Sequence, residues 1–131
     1  KVLESVPDHP RAWAGLAELA GDGEVEAMES RLRGLLATQP SAALHFALGN
    51  ALARQQRWSD AQTEYFAAAS LAPGAADYAY NLAISLDRIG KGAAAATWYA
   101  RALELAGQGR AARFDVAAAR ERLEQLQASQ P

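Results

Sequence analysis

The chain has 131 residues, of which 50% are hydrophobic, and alanine alone makes up about a quarter of them. Alanine favours helices and is depleted in strands, so this composition excludes a sheet protein. Fifteen acidic and 13 basic residues give a net charge of −2, which provides no electrostatic footprint for nucleic acid or an anionic membrane. Cysteine is absent, and this excludes disulfides, thiolate metal sites and cysteine nucleophiles.

Apolar residues recur along the chain at spacings of three, four and seven, which is the period of an amphipathic helix. Pro73-Gly74, Gly90-Lys91-Gly92 and Gly107-Gln108-Gly109 interrupt this pattern and mark helix ends. Ser59 is the predicted N-cap of the helix that follows it. The predicted helices are 11–20, 24–38, 42–56, 59–72, 76–89, 93–106 and 111–128.

The helices belong to a sequence repeat. Eight positions of the central stretch recur 34 residues later, which is the repeat period. At each of them the second residue is the same as the first or is likewise small or apolar. They are Leu48, Gly49, Leu52, Ala61, Tyr65, Ala68, Leu71 and Pro73, followed by Leu82, Ala83, Leu86, Ala95, Tyr99, Ala102, Leu105 and Gly107. We expect paired helices to touch at the small residues of this set, with the larger side chains filling the gaps between them.

A third copy of the repeat lies upstream. Its first half precedes the central copy at an offset of 32, as Trp13 precedes His45. In its second half the offset returns to the full period. The predicted pairs are Ala27 with Ala61, Arg31 with Tyr65, and Gly34 with Ala68.

These residues resemble the tetratricopeptide repeat, a helix–turn–helix unit of about 34 residues with the pattern W-x2-L-G-x2-Y, then A-x3-F, then P. The resemblance covers residues 2 to about 122 and no copy is perfect. The matching segments are Trp13-x2-Leu16-Ala17-x2-Ala20, His45-x2-Leu48-Gly49-x2-Leu52, Ala79-x2-Leu82-Ala83-x2-Leu86, Ala61-x3-Tyr65, Ala95-x3-Tyr99 and Pro73.

The resemblance implies an all-α fold, an α-solenoid of antiparallel helix pairs with about three tetratricopeptide repeats and a C-terminal capping helix. Val2, Leu3 and Pro7 match the end of a second helix, so the chain is expected to start inside an earlier repeat. The predicted units are 1–9 (end of a truncated repeat), 10–41, 42–75 and 76–109 (three repeats), and 110–131 (capping helix and tail).

In this family the first helices of the pairs line a concave groove, and the resemblance implies that the groove binds a peptide or helix of another protein. Side chains on the groove-facing turns are the predicted contacts for that partner. They are Phe46, Asn50, Arg54, Tyr80, Asn81, Ile84 and Arg88, and Asp87, Phe114, Asp115 and Arg122 lie at further groove positions.

Arg54, Arg88 and Arg122 are each separated by one repeat period and are expected to form a ladder along one wall of the groove. Two interpretations of the ladder stay open: guanidinium forks that bind a partner's carboxylates or carbonyls, and cations that are merely solvated.

Asn50 and Asn81 occupy the asparagine positions of the two-carboxylate clamp found in chaperone-binding members of the family. That clamp needs cations where this chain has Phe46, Ala111 and Asp115. A lost charge-assisted bond costs about 1.5–3 kcal/mol, so binding of an acidic chaperone tail is not expected. The two asparagines can instead bind a peptide backbone, and the alternative is that they simply face water.

The sequence predicts no enzyme, no cofactor and no metal site. His9 and His45 are far apart and lack a ligand residue at helical spacing, so no zinc site is indicated. Trp13 and Trp58 are predicted to pack in the core, whereas Trp98 is a candidate contact on the outer face. No apolar run approaches the length of a membrane span, so insertion into a membrane by this chain is not expected.

The predicted function is that of a protein-binding scaffold. The stretch Tyr80 to Asp87 and the arginine-rich last helix resemble C-terminal repeat modules of bacterial pilus and secretion-assembly proteins. Three alternatives stay open: such an assembly role, a docking module of an enzyme whose catalytic domain lies outside this sequence, and a homodimer formed through exposed repeat ends. The compartment is likewise open between the cytoplasmic and periplasmic sides of a bacterial envelope.

Overall fold

The structure, a computed structural model, describes residues 22–129 apart from the side chain of Asp22. The regular structure of this part is entirely helical, as the sequence predicts, and contains no strand. Its helices are α1 (Asp22–Thr38), α2 (Ala42–Arg54), α3 (Trp58–Leu71), α4 (Ala76–Arg88), α5 (Gly92–Gly107) and α6 (Val116–Ala128). The predicted helix 11–20, with Trp13, and the predicted truncated repeat 1–9 lie outside the described residues.

Each helix packs chiefly against the next one along the chain, from α1 on α2 to α5 on α6. Because most of the connections are only a few residues long, neighbouring helices run in roughly opposite directions. One large apolar cluster extends through all these contacts, from Val25 in α1 to Leu126 in α6. The core is therefore drawn out along the chain of helices, with each layer burying the face of the one before it.

The repeat period of the sequence is visible in the helices themselves. α2 and α4 begin at Ala42 and Ala76, and α3 and α5 begin at Trp58 and Gly92, so the members of each pair start one period apart. Their inward side chains match as well, and all of them are exposed by 2% or less. These side chains are Ala61, Tyr65 and Ala68 in α3 and Ala95, Tyr99 and Ala102 in α5. The prediction that these alanines are buried between helices is confirmed.

The turns that follow α2 and α4 also match, because each contains one residue with a left-handed backbone. Gln56 has φ 59°, and Gly90, at the same place in the next repeat, has φ 83°. Glycine adopts this conformation without steric cost, whereas a residue with a Cβ adopts it at about 1–2 kcal/mol. Both turns therefore have the same left-handed backbone, which is strained at Gln56 and unstrained at Gly90.

The predicted alignment of α1 is wrong by one residue. Ala27, Arg31 and Gly34, which it pairs with core residues of α3, are all exposed. Met28 and Leu32 are buried instead, at 6% and 0% exposure. The offset that aligns α1 with α3 is therefore 33 rather than 34, so that Met28 corresponds to Ala61 and Leu32 to Tyr65. Matching small residues by identity favoured the wrong offset, whereas the apolar period of α1 indicates the observed one.

The predicted N-cap Ser59 and the predicted start of the last helix are also wrong. α3 begins at Trp58, so Ser59 lies inside the helix, and Arg57 at the N-cap makes no side-chain capping bond. α6 begins at Val116 rather than at residue 111, because Asp115 caps it by accepting a hydrogen bond from the Ala118 amide. The preceding loop is held to α4 by a 2.7 Å hydrogen bond from the Arg113 amide to Asp77.

Candidate functional site

A pocket of about 390 Å³ lies between α4 and α6, with α5 contributing to its wall. Tyr80 contacts Phe114 just before α6, and Asp87, two turns further along α4, contacts Arg122 in α6. The two helices therefore run side by side in the same direction, with the pocket between them. The lining residues are Tyr80, Ile84, Asp87, Arg88, Tyr99, Ala118, Ala119 and Arg122.

One wall of the pocket is a hydrogen-bonded group of three side chains. The guanidinium of Arg122 donates from Nε and Nη2 to the two carboxylate oxygens of Asp87, at 2.7 Å each. The buried Tyr99 hydroxyl donates to Oδ2 of the same carboxylate at 3.0 Å. The hydrogen bonds from Arg122 are the main cause that holds the pKa of Asp87 below its ordinary value. Burial, and after it the neighbouring Asp87 charge, raise the pKa of Tyr99.

Arg88 lies at the same end of the pocket, but it contacts an aromatic ring, whereas Arg122 is hydrogen-bonded to a carboxylate. Its guanidinium carbon is 5.2 Å from the centre of the Trp58 ring, which is a cation–π contact between α4 and the start of α3. Arg88 is exposed. A cation–π contact uses the charge of the guanidinium and leaves its N–H groups available, so Arg88 can still donate hydrogen bonds to a ligand.

The opposite end of the pocket is aromatic. Tyr80 stacks on Phe114 with ring centres 4.4 Å apart and planes within 3°, and it meets Tyr99 edge-on at 6.0 Å. Partial burial raises the pKa of Tyr80, and the negative charge of Asp115 raises it further. The carboxylate of Asp115 therefore stands near this end, whereas the Arg88 end carries two cations, Arg88 and Arg122, and one carboxylate, Asp87.

Small side chains on α6 make room between these two ends. Ala119 is buried at 1% exposure, and Ala118 is exposed towards the pocket. Ile84 faces them from α4 and is half-buried against the core. Because alanine ends at Cβ, the space between α4 and α6 stays open at this level, with apolar carbon on both sides.

The structure brings together three of the seven predicted groove residues, Tyr80, Ile84 and Arg88. Asn81, on the same helix, does not line the pocket, and its side-chain amide donates to the backbone oxygen of Asp77 at 2.9 Å. Arg54, the first member of the predicted ladder, is exposed at the end of α2. The ladder is therefore uneven, since Arg54, Arg88 and Arg122 lie in different surroundings.

The other two predicted residues, Phe46 and Asn50, are engaged inside the fold. The Phe46 ring lies 4.7 Å from that of Tyr78 and 5.7 Å from that of Tyr65. Oδ1 of Asn50 accepts a 2.7 Å hydrogen bond from the Tyr65 hydroxyl. Its Nδ2 is buried and has no hydrogen-bond partner among the described residues. Asn50 therefore has a structural role, and its predicted contact with a partner stays a prediction.

Sequence reasoning assigned Tyr99 to packing and gave Ala118 and Ala119 no role beyond helix propensity, yet all three line the pocket. For Tyr99 a signal was present, because a tyrosine hydroxyl in a core needs a polar partner and Asp87 lies one turn beyond the matching small residue Ala83. For the two alanines no signal existed, since the sequence does not fix where α6 begins.

The remaining candidates lie away from the pocket. Trp58, predicted as core, is half-buried and faces Arg88. Trp98 is half-buried and meets Phe66 edge-on at 6.4 Å, and the Phe66 ring is 50% exposed. His45 is 2.8 Å from a carboxylate oxygen of Glu64. Within residues 22–129 no three acidic or histidine side chains form a group that could hold a metal ion.

The site and the fold define an all-α protein with a pocket between two parallel helices. In the part of the chain that the structure describes, no helix combines the length and the apolar character that crossing a membrane requires. No protein-family model matches the chain, and no curated protein matches it significantly.

Proposed function

We propose that this chain is a non-enzymatic protein-binding scaffold of the tetratricopeptide-repeat type, and that a peptide or helix of a partner binds along the surface formed by α2, α4 and α6. The regular spacing of the helix starts, one repeat period apart, supports the repeat assignment. The matched burial of Tyr65 and Tyr99, and the left-handed turn residues Gln56 and Gly90, support it as well.

The pocket between α4 and α6 is the single observation on which the binding role depends. Its lining includes Tyr80, Ile84 and Arg88, three of the residues that the groove hypothesis selects from the sequence. Asp87, the carboxylate that lines it, has both oxygens hydrogen-bonded to Arg122 and a lowered pKa. A carboxylate held in this way is a poor general base, so the pocket suits binding better than proton transfer.

Capture from extracts of the producing cell tests the proposal, with wild-type chain compared against Arg88→Glu and Arg120→Glu. Both arginines are exposed, and only Arg88 lines the pocket, so Arg120→Glu is a matched control for charge. We expect a partner that wild type and Arg120→Glu retain and that Arg88→Glu loses by fivefold or more. Equal retention by all three proteins contradicts the proposal and points to the outer face around Phe66 and Trp98.

We further propose assembly of a bacterial pilus or secretion complex as the pathway, on the resemblance of the stretch Tyr80 to Asp87 and the arginine-rich last helix. Identification of the captured partner by mass spectrometry tests this separately. A structural or assembly subunit of an envelope complex supports the pathway. A metabolic enzyme as the partner contradicts it and leaves the scaffold role intact.

A further inference from the structure

We propose that the pocket between α4 and α6 selects extended partner segments in which an apolar side chain and a carboxylate are two residues apart. The apolar side chain lies between Ile84 and Ala118, and the carboxylate binds the guanidinium of Arg88. This inference rests on the proposed function, because it names the chemistry of the segment that the scaffold binds.

The charge of the pocket favours an anionic ligand. Its charged lining residues are two cations, Arg88 and Arg122, and one anion, Asp87. Arg122 and Asp87 neutralise each other through two hydrogen bonds, and Tyr99 occupies the carboxylate further. The lining therefore keeps one net positive charge, and Arg88 is its cation that is hydrogen-bonded to no carboxylate among the described residues. Since its guanidinium is in contact with the face of Trp58, it is already positioned for a bidentate contact with a carboxylate.

The spacing of the two contacts follows from helix geometry. Ile84 and Arg88 are four residues apart on α4, which is about 6 Å along the helix axis. In an extended peptide, side chains two residues apart point to the same side and lie about 6.6–7 Å from each other. In a segment that runs parallel to α4, an apolar residue, any residue and then an acidic residue thus match Ile84 and Arg88 in turn.

The two ends of the pocket decide where each side chain of the segment binds. Asp115 directly follows Phe114, whose ring stacks on Tyr80, so a carboxylate stands beside the Tyr80 end and an acidic side chain is disfavoured there. The acidic residue is instead placed at the Arg88 end, and the apolar residue sits over Ala118, where α6 presents only a methyl group.

Two blocked peptides test the proposal, acetyl-Gly-Leu-Gly-Glu-Gly-amide and the same peptide with glutamine in place of glutamate. They are too short to form a helix, and their only difference is one charge. Titration into the full 131-residue chain labelled with nitrogen-15 reports both affinity and location. We expect the glutamate peptide to shift the amide signals of α4 and α6 around Ile84 and Ala118, and to bind about five- to tenfold more tightly than the glutamine peptide.

Three variants separate the contributions. Arg88→Ala should remove the preference for glutamate and leave weak binding of both peptides. Arg120→Ala, on an exposed turn of α6 outside the pocket, should keep the preference. Ala118→Leu should abolish binding of both peptides by filling the pocket, and leucine at an exposed helix position preserves the helix, which circular dichroism verifies.

Equal affinity for the two peptides, an unchanged preference in Arg88→Ala, or no binding of either peptide overturns the inference. Signals that shift in α2 around Asn50 instead of α4 and α6 also overturn it, and this result leaves the proposed scaffold function standing. Failure of the scaffold function itself appears in the capture experiment, where wild type then retains no partner.

Discussion

Arg122 donates two hydrogen bonds of 2.7 Å to the two carboxylate oxygens of Asp87, and this pair joins the last described helix to α4. The side chain of Asp87 is 18% exposed and that of Arg122 is 43% exposed, so solvent screens the pair only in part. The same pair forms one wall of the candidate pocket. Its strength therefore affects both the stability of the helix stack and the shape of the site.

Arg122→Ala should lower the free energy of unfolding by about 1 kcal/mol, which is less than a fully buried charge-assisted hydrogen bond contributes, because Arg122 is partly solvated. Urea denaturation followed by circular dichroism measures the loss. Arg120→Ala, two residues away on the exposed side of α6, should change the free energy by less than about 0.5 kcal/mol. If the two variants lower the free energy of unfolding equally, the hydrogen-bonded pair of Arg122 and Asp87 does not contribute specifically to stability.

The stability contributed by Asp87 should depend on pH. Its pKa in the folded protein is below the ordinary value of 3.8 that the unfolded chain retains. The contribution is therefore fully present above pH 3.8 and is lost as the pH falls through the lower folded-state pKa. The difference in unfolding free energy between wild type and Asp87→Asn should narrow over this range.

Arg122→Ala provides the control for this pH dependence, because the hydrogen bonds from Arg122 are the main cause of the lowered pKa of Asp87. In that background the effect of Asp87→Asn should vary less with pH. A difference that stays constant in the wild-type background from neutral pH to below pH 3.8 would contradict the assigned pKa direction.

Gly49→Ala should destabilise the chain by about 1–3 kcal/mol, the usual cost of overpacking a core. A Cβ at this position would lie 2.6 Å from Cε1 of Tyr65, whose ring is 2% exposed and hydrogen-bonded to Asn50. The expected result is a lower urea midpoint with unchanged helical content.

Gly34→Ala is the matched control, because a Cβ there meets nothing within 4 Å. Replacing an exposed helical glycine by alanine should stabilise the protein by about 0.5–1 kcal/mol. If Gly49→Ala raises stability as Gly34→Ala does, the close approach of Gly49 to Tyr65 is not a constraint on packing.

Asn50→Ala should lower stability by about 1 kcal/mol because it removes the acceptor of the Tyr65 hydroxyl. A double-mutant cycle with Tyr65→Phe measures the coupling, which we expect to be about 0.5–1.5 kcal/mol. Arg88→Ala should cost less, well under about 1 kcal/mol, because exposed Arg88 loses the contact with Trp58 and a weak attraction to Asp87 but no hydrogen bond among the described residues. Arg88 is therefore the better residue for testing binding, because its replacement disturbs the fold less. If the cycle shows no coupling between Asn50 and Tyr65, Asn50→Ala is an equally suitable variant for testing binding.

The sequence predicts the helices well because apolar period, glycine and proline are local signals. α2 and α4 end within two residues of their predicted bounds. The start of α6 depends instead on the capping of Asp115 and on the bond from the Arg113 amide to Asp77. That bond joins residues 36 positions apart, and a local pattern does not reveal it.

The candidate site is predictable only in part, for the same reason. Tyr80, Ile84 and Arg88 follow from the repeat position of α4. Their surroundings do not, because equivalent residues differ between repeats: Tyr65 bonds to Asn50, whereas its counterpart Tyr99 bonds to Asp87. Small changes explain this difference. Ala83 replaces Gly49, and Ile84 replaces Asn50, so the acceptor used by Tyr65 is missing in the next pair.

Site-specific photo-crosslinking in the producing cell tests the central claim most directly. A benzophenone-bearing amino acid replaces Tyr80, whose ring already lines the pocket, or Arg120, on the exposed side of α6. We predict that position 80 crosslinks to one partner protein and that Arg88→Glu removes this adduct, whereas position 120 gives none. A partner crosslinked equally from both positions, or an adduct at position 80 that persists in Arg88→Glu, would contradict binding in the pocket between α4 and α6.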